Sequence, residues 1–262
     1  MNEMEFTWLS GVSNDYMRQA ASCDLYGKLG ILLGPATYGG TGAKIDYTSH
    51  IPDYKAWALD NGCFTNAGAF NESAWLDRLT WIYNEVPEAH ERCLFAVAPD
   101  VYDPVAQRGD ALATIDRSLP VLSKIRDIGV PSAIVYQDGL EKLNHEYIPW
   151  SEFDVAFVGG STEFKLGYPK EWQTGDSIIQ HDRRNPETEA FFNLIERTHQ
   201  EGKQIHVGRV NTEVRLMYSR RIGAASADGT LIARSGQEGL RRITKWLTRR
   251  ERFLFNEFTT NT

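Results

Sequence analysis

Five apolar runs in this chain each end in a short segment that carries a carboxylate, an amide or paired glycines. The segments are Ala-Leu-Asp60-Asn-Gly-Cys-Phe64, Val-Ala-Pro-Asp100, Ile-Val-Tyr-Gln137-Asp138, Phe-Val-Gly159-Gly160-Ser161 and Ala-Ser-Ala-Asp228-Gly-Thr-Leu-Ile-Ala-Arg234. Short apolar runs bounded in this way are typical of buried parallel strands. Because the carboxyl ends of such strands can converge on one site, the pattern predicts the active face of a (β/α) barrel.

The rest of the chain alternates between strand and helix patterns, which is typical of α/β proteins. Strands are predicted at roughly 6–12, 30–35, 56–60, 94–99, 133–137, 155–159, 205–210 and 224–228. Helices are predicted over 72–85, over 104–128 with a break at Pro120, over 186–201, from 211–213 to Gly223, and over 239–255. Two polar segments, Tyr38–Tyr54 and Phe164–Asn185, interrupt this alternation, and we interpret the first as a loop. We therefore expect residues 1–262 to form one domain, a single (β/α)8 TIM barrel with insertions and no zinc subdomain.

Composition limits the class of protein further. The three cysteines (Cys23, Cys63 and Cys93) lack metal-ligand spacing, so we expect no metal site. No apolar run is long enough to span a bilayer, and the N-terminal residues lack a signal-peptide pattern, so we expect a cytoplasmic protein without a membrane partner. Dinucleotide and P-loop fingerprints are also missing, and we expect no cofactor.

The charge is distributed unevenly along the chain. The net charge of −7 argues weakly against a nucleic-acid partner, yet residues 209–252 hold eleven Lys and Arg against four Asp and Glu. The basic residues of the last helix, Arg241 and Arg242 among them, either form a solvated face or bind phosphates. We assign Arg209, Arg241 and Arg242 to contacts with a nucleic-acid backbone.

Asp228 is the first candidate for catalysis. It follows a run of small residues that leaves room for a substrate, and a carboxylate can attack an anomeric carbon. Asp60 could serve as the second carboxylate that glycosyl chemistry uses for proton transfer. Each of these residues is also compatible with an ordinary turn, since Asp-Gly and Asp-Asn-Gly are common turn sequences.

Other strand ends predict a pocket for a flat base. Asp100 could accept hydrogen bonds from the ring N–H and amino group of a guanine-like base, and Gln137 could pair with a carbonyl or ring nitrogen. The paired glycines Gly159 and Gly160 permit close approach of the backbone, and Phe64 could stack on the ligand. His206 ends a strand and is compatible either with the pocket or with a hydrogen-bonded core position.

These segments, in this order, resemble the tRNA-guanine transglycosylase superfamily of TIM barrels. The family's Asp-Ser-Gly-Gly-Phe motif is similar to 60–64, its base-recognising Asp to Asp100, and its Gln-Gly element to 137–139. Its Gly-Gly-Leu strand end is similar to 159–161, and its Gly-Val-Gly segment to 208–210. Its Asp-Cys-Val-Leu-Pro-Thr-Arg motif resembles 228–234, with Asp and Arg at the same spacing.

The resemblance implies an exchange of guanine in a polynucleotide for a 7-deazaguanine through a covalent aspartyl–sugar intermediate. It implies Asp228 as nucleophile and Asp60 as general acid/base. Asp100, Gln137 and Gly160 would hold the base, with Phe64 and Val207 against its faces and Gly208 in the adjoining strand end. Arg234 would contact a phosphate.

The chain also departs from this family. The tRNA enzymes carry a C-terminal Cys/His zinc element, whereas no cysteine follows Cys93, and Cys63 and Ser161 alter two motifs. The zinc-free pattern is more like the phage and bacterial DNA transglycosylases. We therefore expect DNA rather than tRNA as partner, with a 7-deazaguanine such as preQ0 as the incoming base, and a homodimer or partner protein stays open. The alternatives are a tRNA-guanine transglycosylase, a base-excising nucleoside hydrolase and a non-enzymatic nucleic-acid-binding barrel.

Overall fold

The structure is a computed structural model, and it describes residues 6–23, 25, 27–35, 37–38, 44–64, 68–103, 105, 108–166 and 186–248. Within these residues the strands are β1 Thr7–Ser10, β2 Leu29–Leu33, β3 Thr37–Tyr38, β4 Lys44–Ile45, β5 Trp57–Leu59, β6 Cys93–Val97, β7 Tyr102–Asp103, β8 Arg108–Gly109, β9 Ser132–Tyr136, β10 Val155–Val158, β11 Gln204–Val207 and β12 Ser226–Gly229. The α-helices are α1 Asp15–Ser22, α2 Glu72–Glu85, α3 Ala89–Arg92, α4 Ala111–Asp127, α5 Thr162–Leu166, α6 Pro186–Gln200, α7 Glu213–Arg221 and α8 Leu231–Thr248.

Eight of these strands close into a parallel barrel. Their order around the barrel is β1-β12-β11-β10-β9-β6-β5-β2. The first and last strands close the ring, with Leu9 of β1 opposite Asp228 of β12. All eight predicted strands are present, and the predicted TIM barrel is confirmed.

Side chains of the barrel strands alternate between two cores, because successive residues of a strand point to opposite faces. The barrel interior is filled mainly by Leu9, Ala58, Phe95, Val97, Ala133, Val135 and Val155. The larger core lies between the barrel and the helices, where Trp8, Trp57, Tyr136 and Ala227 are fully buried. Ala227 therefore faces the helices, and its neighbour Asp228 faces the barrel axis.

Several α-helices begin at a polar residue whose side chain caps the helix. Asn71, Asp110 and Thr212 accept hydrogen bonds from the backbone N–H groups of Ala74, Ala113 and Arg215, at 3.1, 3.0 and 3.3 Å. Each bond satisfies a donor that the first turn of a helix leaves without an internal partner. The predicted helices over 72–85 and 186–201 and the predicted start at Thr212 are confirmed to within one residue.

The predicted break at Pro120 is wrong, because α4 continues through this proline. Ile115, Val121, Leu122 and Ile125 are buried and belong to the core between barrel and helices. Burying these four side chains outweighs the roughly 3 kcal/mol cost of an interior proline.

The structure also differs from the prediction at several other places. One is the helix predicted from residue 104, since β8 occupies Arg108–Gly109 and α4 begins only at Ala111. The segment Tyr38–Tyr54 is not simply a loop, since β3 and β4 form an antiparallel pair and Thr48–Asp53 is a 3-10 helix. Helix α8 begins at Leu231, earlier than predicted, and is kinked at Gly236, where φ is 54°. Helix α5 occupies the start of the predicted insertion Phe164–Asn185, and 167–185 lie outside the described residues. The predicted end of the last helix, beyond residue 248, lies outside them as well.

Candidate active site

Asp228 lies at the carboxyl end of β12, and only 9% of its surface is exposed. Its Oδ2 atom is 3.1 Å from Nε2 of His206. Its Oδ1 atom accepts a hydrogen bond from the backbone N–H of Arg209 at 3.2 Å. Donors on both oxygens fix the plane of this carboxylate at the mouth of the barrel.

His206 is fully buried at the end of β11 and links Asp228 to Ser226. Its ring lies 4.9 Å from the ring of Phe95 and 4.6 Å from that of Phe157, between centroids. Its Nδ1 atom is 2.8 Å from Oγ of Ser226. A carboxylate oxygen can only accept, so Nε2 carries the proton shared with Asp228, and the Ser226 hydroxyl can donate to Nδ1. His206 thus fits the hydrogen-bonded core position, one of the two interpretations that the sequence left open.

Asp60 follows β5 at the same mouth and is partly buried. Burial, with the negative charges of Asp228 and Asp100, raises the pKa of Asp60 to about 7. Its backbone carbonyl accepts a hydrogen bond from Nε1 of Trp75 at 3.0 Å, which anchors the strand end to α2. Asp60 can therefore hold or release a proton near neutral pH.

Asp100 follows β6, is 6% exposed and is held by two amide side chains. Asn61 Nδ2 donates to its Oδ1 at 3.0 Å, and Gln137 Nε2 donates to its Oδ2. Burial raises the pKa of Asp100, and these amide donors partly offset the effect. The structure therefore brings Asp60, Asp100 and Asp228 together, with Gln137 beside Asp100.

The oxygen of the Gln137 side-chain amide, Oε1, is buried without a hydrogen-bond partner among the described residues. Gly109 packs directly against this side chain, since a Cβ at that position would lie 2.0 Å from Oε1 of Gln137. An amide oxygen in this state is a ready acceptor for a donor on a ligand.

The Arg209 guanidinium closes one side of the mouth. Its NH2 group donates to the carbonyl oxygens of Gly159 and Gly160, at 2.8 and 2.7 Å. Its central carbon lies 4.8 Å from the centroid of the Phe64 ring, and that ring lies 4.8 Å from the ring of Tyr102. Phe64 is 52% exposed, so part of its surface faces solvent at the mouth.

Val207 and Gly208 follow His206 in the chain, and only Gly208 lies beside the carboxylates. The Val207 side chain belongs to the core between barrel and helices, so the structure does not place it beside the carboxylates. Gly208 lies over the site, because a Cβ there would be 2.8 Å from the Phe157 ring and 3.4 Å from Oδ2 of Asp228.

Arg234, Arg241 and Arg242 are exposed on α8, and their recorded contacts lie on or next to that helix. Arg241 pairs with Glu238 at 2.7 Å, and the Arg242 guanidinium lies 5.2 Å from the Trp246 ring. These contacts agree with a solvated helix face, and the predicted binding of a nucleic-acid backbone stays a prediction.

Lys165 is a site residue that the sequence reasoning missed. It lies on α5, is only 6% exposed, and its Nζ donates to the carbonyl oxygen of Gly208 at 3.0 Å. Burial lowers the pKa of Lys165 to about 7, and the positive charge of Arg209 adds to the effect. The only sequence signal was its position shortly after the Gly159-Gly160 strand end.

Among the described residues, no group of three or more His, Cys, Asp or Glu side chains is arranged to hold a metal ion. Within the same residues, no helix is both long and apolar enough to cross a membrane.

A closed parallel barrel with polar residues at the carboxyl ends of its strands defines this chain as a (β/α)8 TIM barrel. No protein-family model and no curated protein sequence matches it. Among solved structures it is similar to a chain of the tryptophan synthase α2β2 complex from Pyrococcus furiosus. That match has a TM-score of 0.51 and 11% identity, and it covers 94% of this chain and 96% of that chain.

The chain is also similar to the native KDPGal structure, with a TM-score of 0.50 and 10% identity, over 92% of this chain and 89% of that chain. At such low identity these similarities show the fold alone, and function has to be argued from the site.

Proposed function

We propose that this protein is a guanine transglycosylase that exchanges guanine in DNA for a 7-deazaguanine such as preQ0. The observation that carries the proposal is the grouping of Asp60, Asp100 and Asp228 at one barrel mouth. Their environments differ: Asp228 is held between two donors, while the pKa of Asp60 is raised to about 7. Carboxyl groups held in different environments can divide the roles of nucleophile and proton donor between them.

In the first step, a carboxylate oxygen of Asp228 attacks C1′ of the nucleotide, whose base has been flipped out of the helix. The new C1′–O bond forms as the C1′–N9 bond breaks, and the bonding electrons leave on guanine. Asp60 supplies the proton that guanine takes up, either directly or through a water molecule. Hydrogen bonds from His206 and from the Arg209 backbone orient the attacking carboxylate.

In the second step, N9 of the incoming deazaguanine attacks the same carbon and releases Asp228. The proton of that nitrogen passes to Asp60, so the site returns to its starting protonation state. Two displacements retain the configuration at C1′. Asp100 and Gln137 can read the edge that guanine and the deazaguanine share, since the replaced N7 lies away from the glycosidic bond.

Incorporation of a labelled base tests the proposal. Purified protein is incubated with labelled preQ0 and either guanine-containing DNA or tRNA, and the nucleosides of each polymer are then analysed by mass spectrometry. We expect label in DNA, none with Asp228→Asn, and undiminished label with the matched control Asp116→Asn on the exposed surface of α4.

The other outcomes each replace part of the proposal. Label in tRNA alone would keep the chemistry and change the polymer. Guanine release without label would indicate a base-excising hydrolase. Binding of DNA with neither label nor released guanine would favour a non-enzymatic nucleic-acid-binding barrel.

A further inference from the structure

A small cleft lies beside the candidate active site, between α5 and α7. Its polar lining consists of Lys165, Arg209, Arg215, Thr162 and Tyr218, and its remaining walls are Val207, Gly208 and Val210. Three of these residues are cationic, and none of the lining residues that the structure describes is acidic. The loop that forms one wall follows β11, the seventh strand of the barrel, and TIM barrels often bind phosphate near this position.

Lys165 is the buried donor of this cleft. Among the described residues, its Nζ makes one hydrogen bond, to the carbonyl oxygen of Gly208. An ammonium group has three N–H donors, so this bond uses only one of them. Burying an ammonium group whose N–H donors lack acceptors costs free energy, unless an acceptor of opposite charge binds to it.

Charges of both signs surround Lys165. Arg209 from the loop after β11 and Arg215 from α7 both repel it, whereas Asp228 and Asp138 attract it. Both carboxylates also accept hydrogen bonds from donors other than Lys165. Asp138 accepts backbone N–H bonds from Gly109 and Ser161, and Asp228 is held by His206 and Arg209.

We propose that this cleft binds a phosphate group through Lys165, Arg209 and Arg215. The identity of this phosphate rests on the function proposed above: it is the phosphodiester next to the nucleotide whose base is exchanged. The Gly208–Arg209 segment joins the two sites: the Gly208 carbonyl accepts from Lys165, and the Arg209 N–H donates to Asp228. A phosphate bound in the cleft would therefore fix the position of the neighbouring sugar relative to the nucleophile, Asp228.

Sulfate is the best first probe, because it resembles phosphate but does not itself titrate near neutral pH. Its binding to the whole 262-residue chain is measured by calorimetry at pH 6 and pH 8, in buffers of different ionisation enthalpy. The pKa of Lys165 is about 7 without a bound anion, and binding of an anion raises this pKa. We therefore expect binding to take up protons at pH 8 and to be tighter at pH 6.

Two variants and one control test the assignment. Lys165→Met keeps the length of the buried side chain and should weaken sulfate binding at pH 6 about tenfold or more, with no proton uptake at pH 8. Arg215→Gln should weaken binding while leaving proton uptake in place. The control Lys124→Met changes an exposed lysine of α4 that pairs with Glu72, and binding should not change. Absence of sulfate binding, or equal binding by the Lys165 variant, would overturn the proposal.

A thymidine-only oligonucleotide decides whether the phosphate belongs to a nucleic acid. It contains no guanine to exchange, so its binding is independent of the transglycosylase chemistry. Competition with sulfate that requires Lys165 would support the phosphodiester assignment, even if no base exchange is found. Failure to compete would overturn that assignment and leave a site for free phosphate or a small phosphorylated molecule.

Discussion

Replacing Asp60 with asparagine should make the protein more stable at alkaline pH while abolishing proton transfer. The site raises the pKa of Asp60 from 3.8 to about 7, so the folded state favours the neutral carboxyl. Between these two pH values the folded state binds more protons than the unfolded state, and the wild type loses stability as the pH rises. The asparagine side chain in the Asp60→Asn variant carries no charge, so the variant would avoid this loss.

The magnitude follows from the size of the shift. About three pKa units at about 1.36 kcal/mol each give an upper limit of about 4 kcal/mol. Solvent reaches the partly buried side chain, so we expect a difference of about 2 kcal/mol at pH 8. At pH 4, where the carboxyl is neutral in the folded state, the two proteins should have similar free energies of unfolding.

Urea unfolding at pH 4 and pH 8 measures this difference directly. The matched control is Asp116→Asn on α4, for which we expect no comparable dependence on pH. A stability difference between wild type and Asp60→Asn that is the same at both pH values would refute the reasoning. A variant that is less stable than wild type at pH 8 would refute it as well.

Three further predictions concern the site and its support. His206→Phe should lower the rate of base exchange about ten- to hundredfold, since it removes a hydrogen bond to a charged oxygen, and His206→Gln should restore part of that rate. Gly109→Ala should weaken guanine binding in calorimetry about tenfold, because its Cβ would collide with the Gln137 amide. Burial alone would raise the pKa of Asp46, but hydrogen bonds from Arg78 and from the backbone N–H of Thr48 hold it at about 2. That pair should therefore contribute about 1 kcal/mol above pH 4, after allowance for solvent screening, and should lose it as the pH falls towards 2. Arg78→Gln should reduce this dependence in acid unfolding, while the Thr48 hydrogen bond keeps part of it.

The strand ends were the part of the site that the sequence could predict. Asp60, Asp100, Gln137 and Asp228 each close an apolar run, and parallel barrel strands end at one face. Their convergence therefore follows from local patterns and the topology. The alternation of side chains could also have excluded Val207: with His206 pointing into the barrel, the next residue has to face the helices.

Other features depend on contacts between distant parts of the chain. Lys165 lies on a helix of five residues, too short for a periodic pattern, and its partner carbonyl belongs to Gly208, 43 residues away. The Pro120 break failed for a similar reason, since packing of α4 on the barrel overrides the local preference of proline. Such effects appear only once the tertiary structure is known.

Detection of the covalent intermediate is the most direct test of the central claim. The protein is mixed with guanine-containing DNA, quenched in acid, digested and analysed by mass spectrometry. The account predicts a deoxyribose-linked adduct on the peptide that contains Asp228, absent with Asp228→Asn and discharged when preQ0 is added before the quench. An adduct on another residue, or one that survives Asp228→Asn, would contradict it.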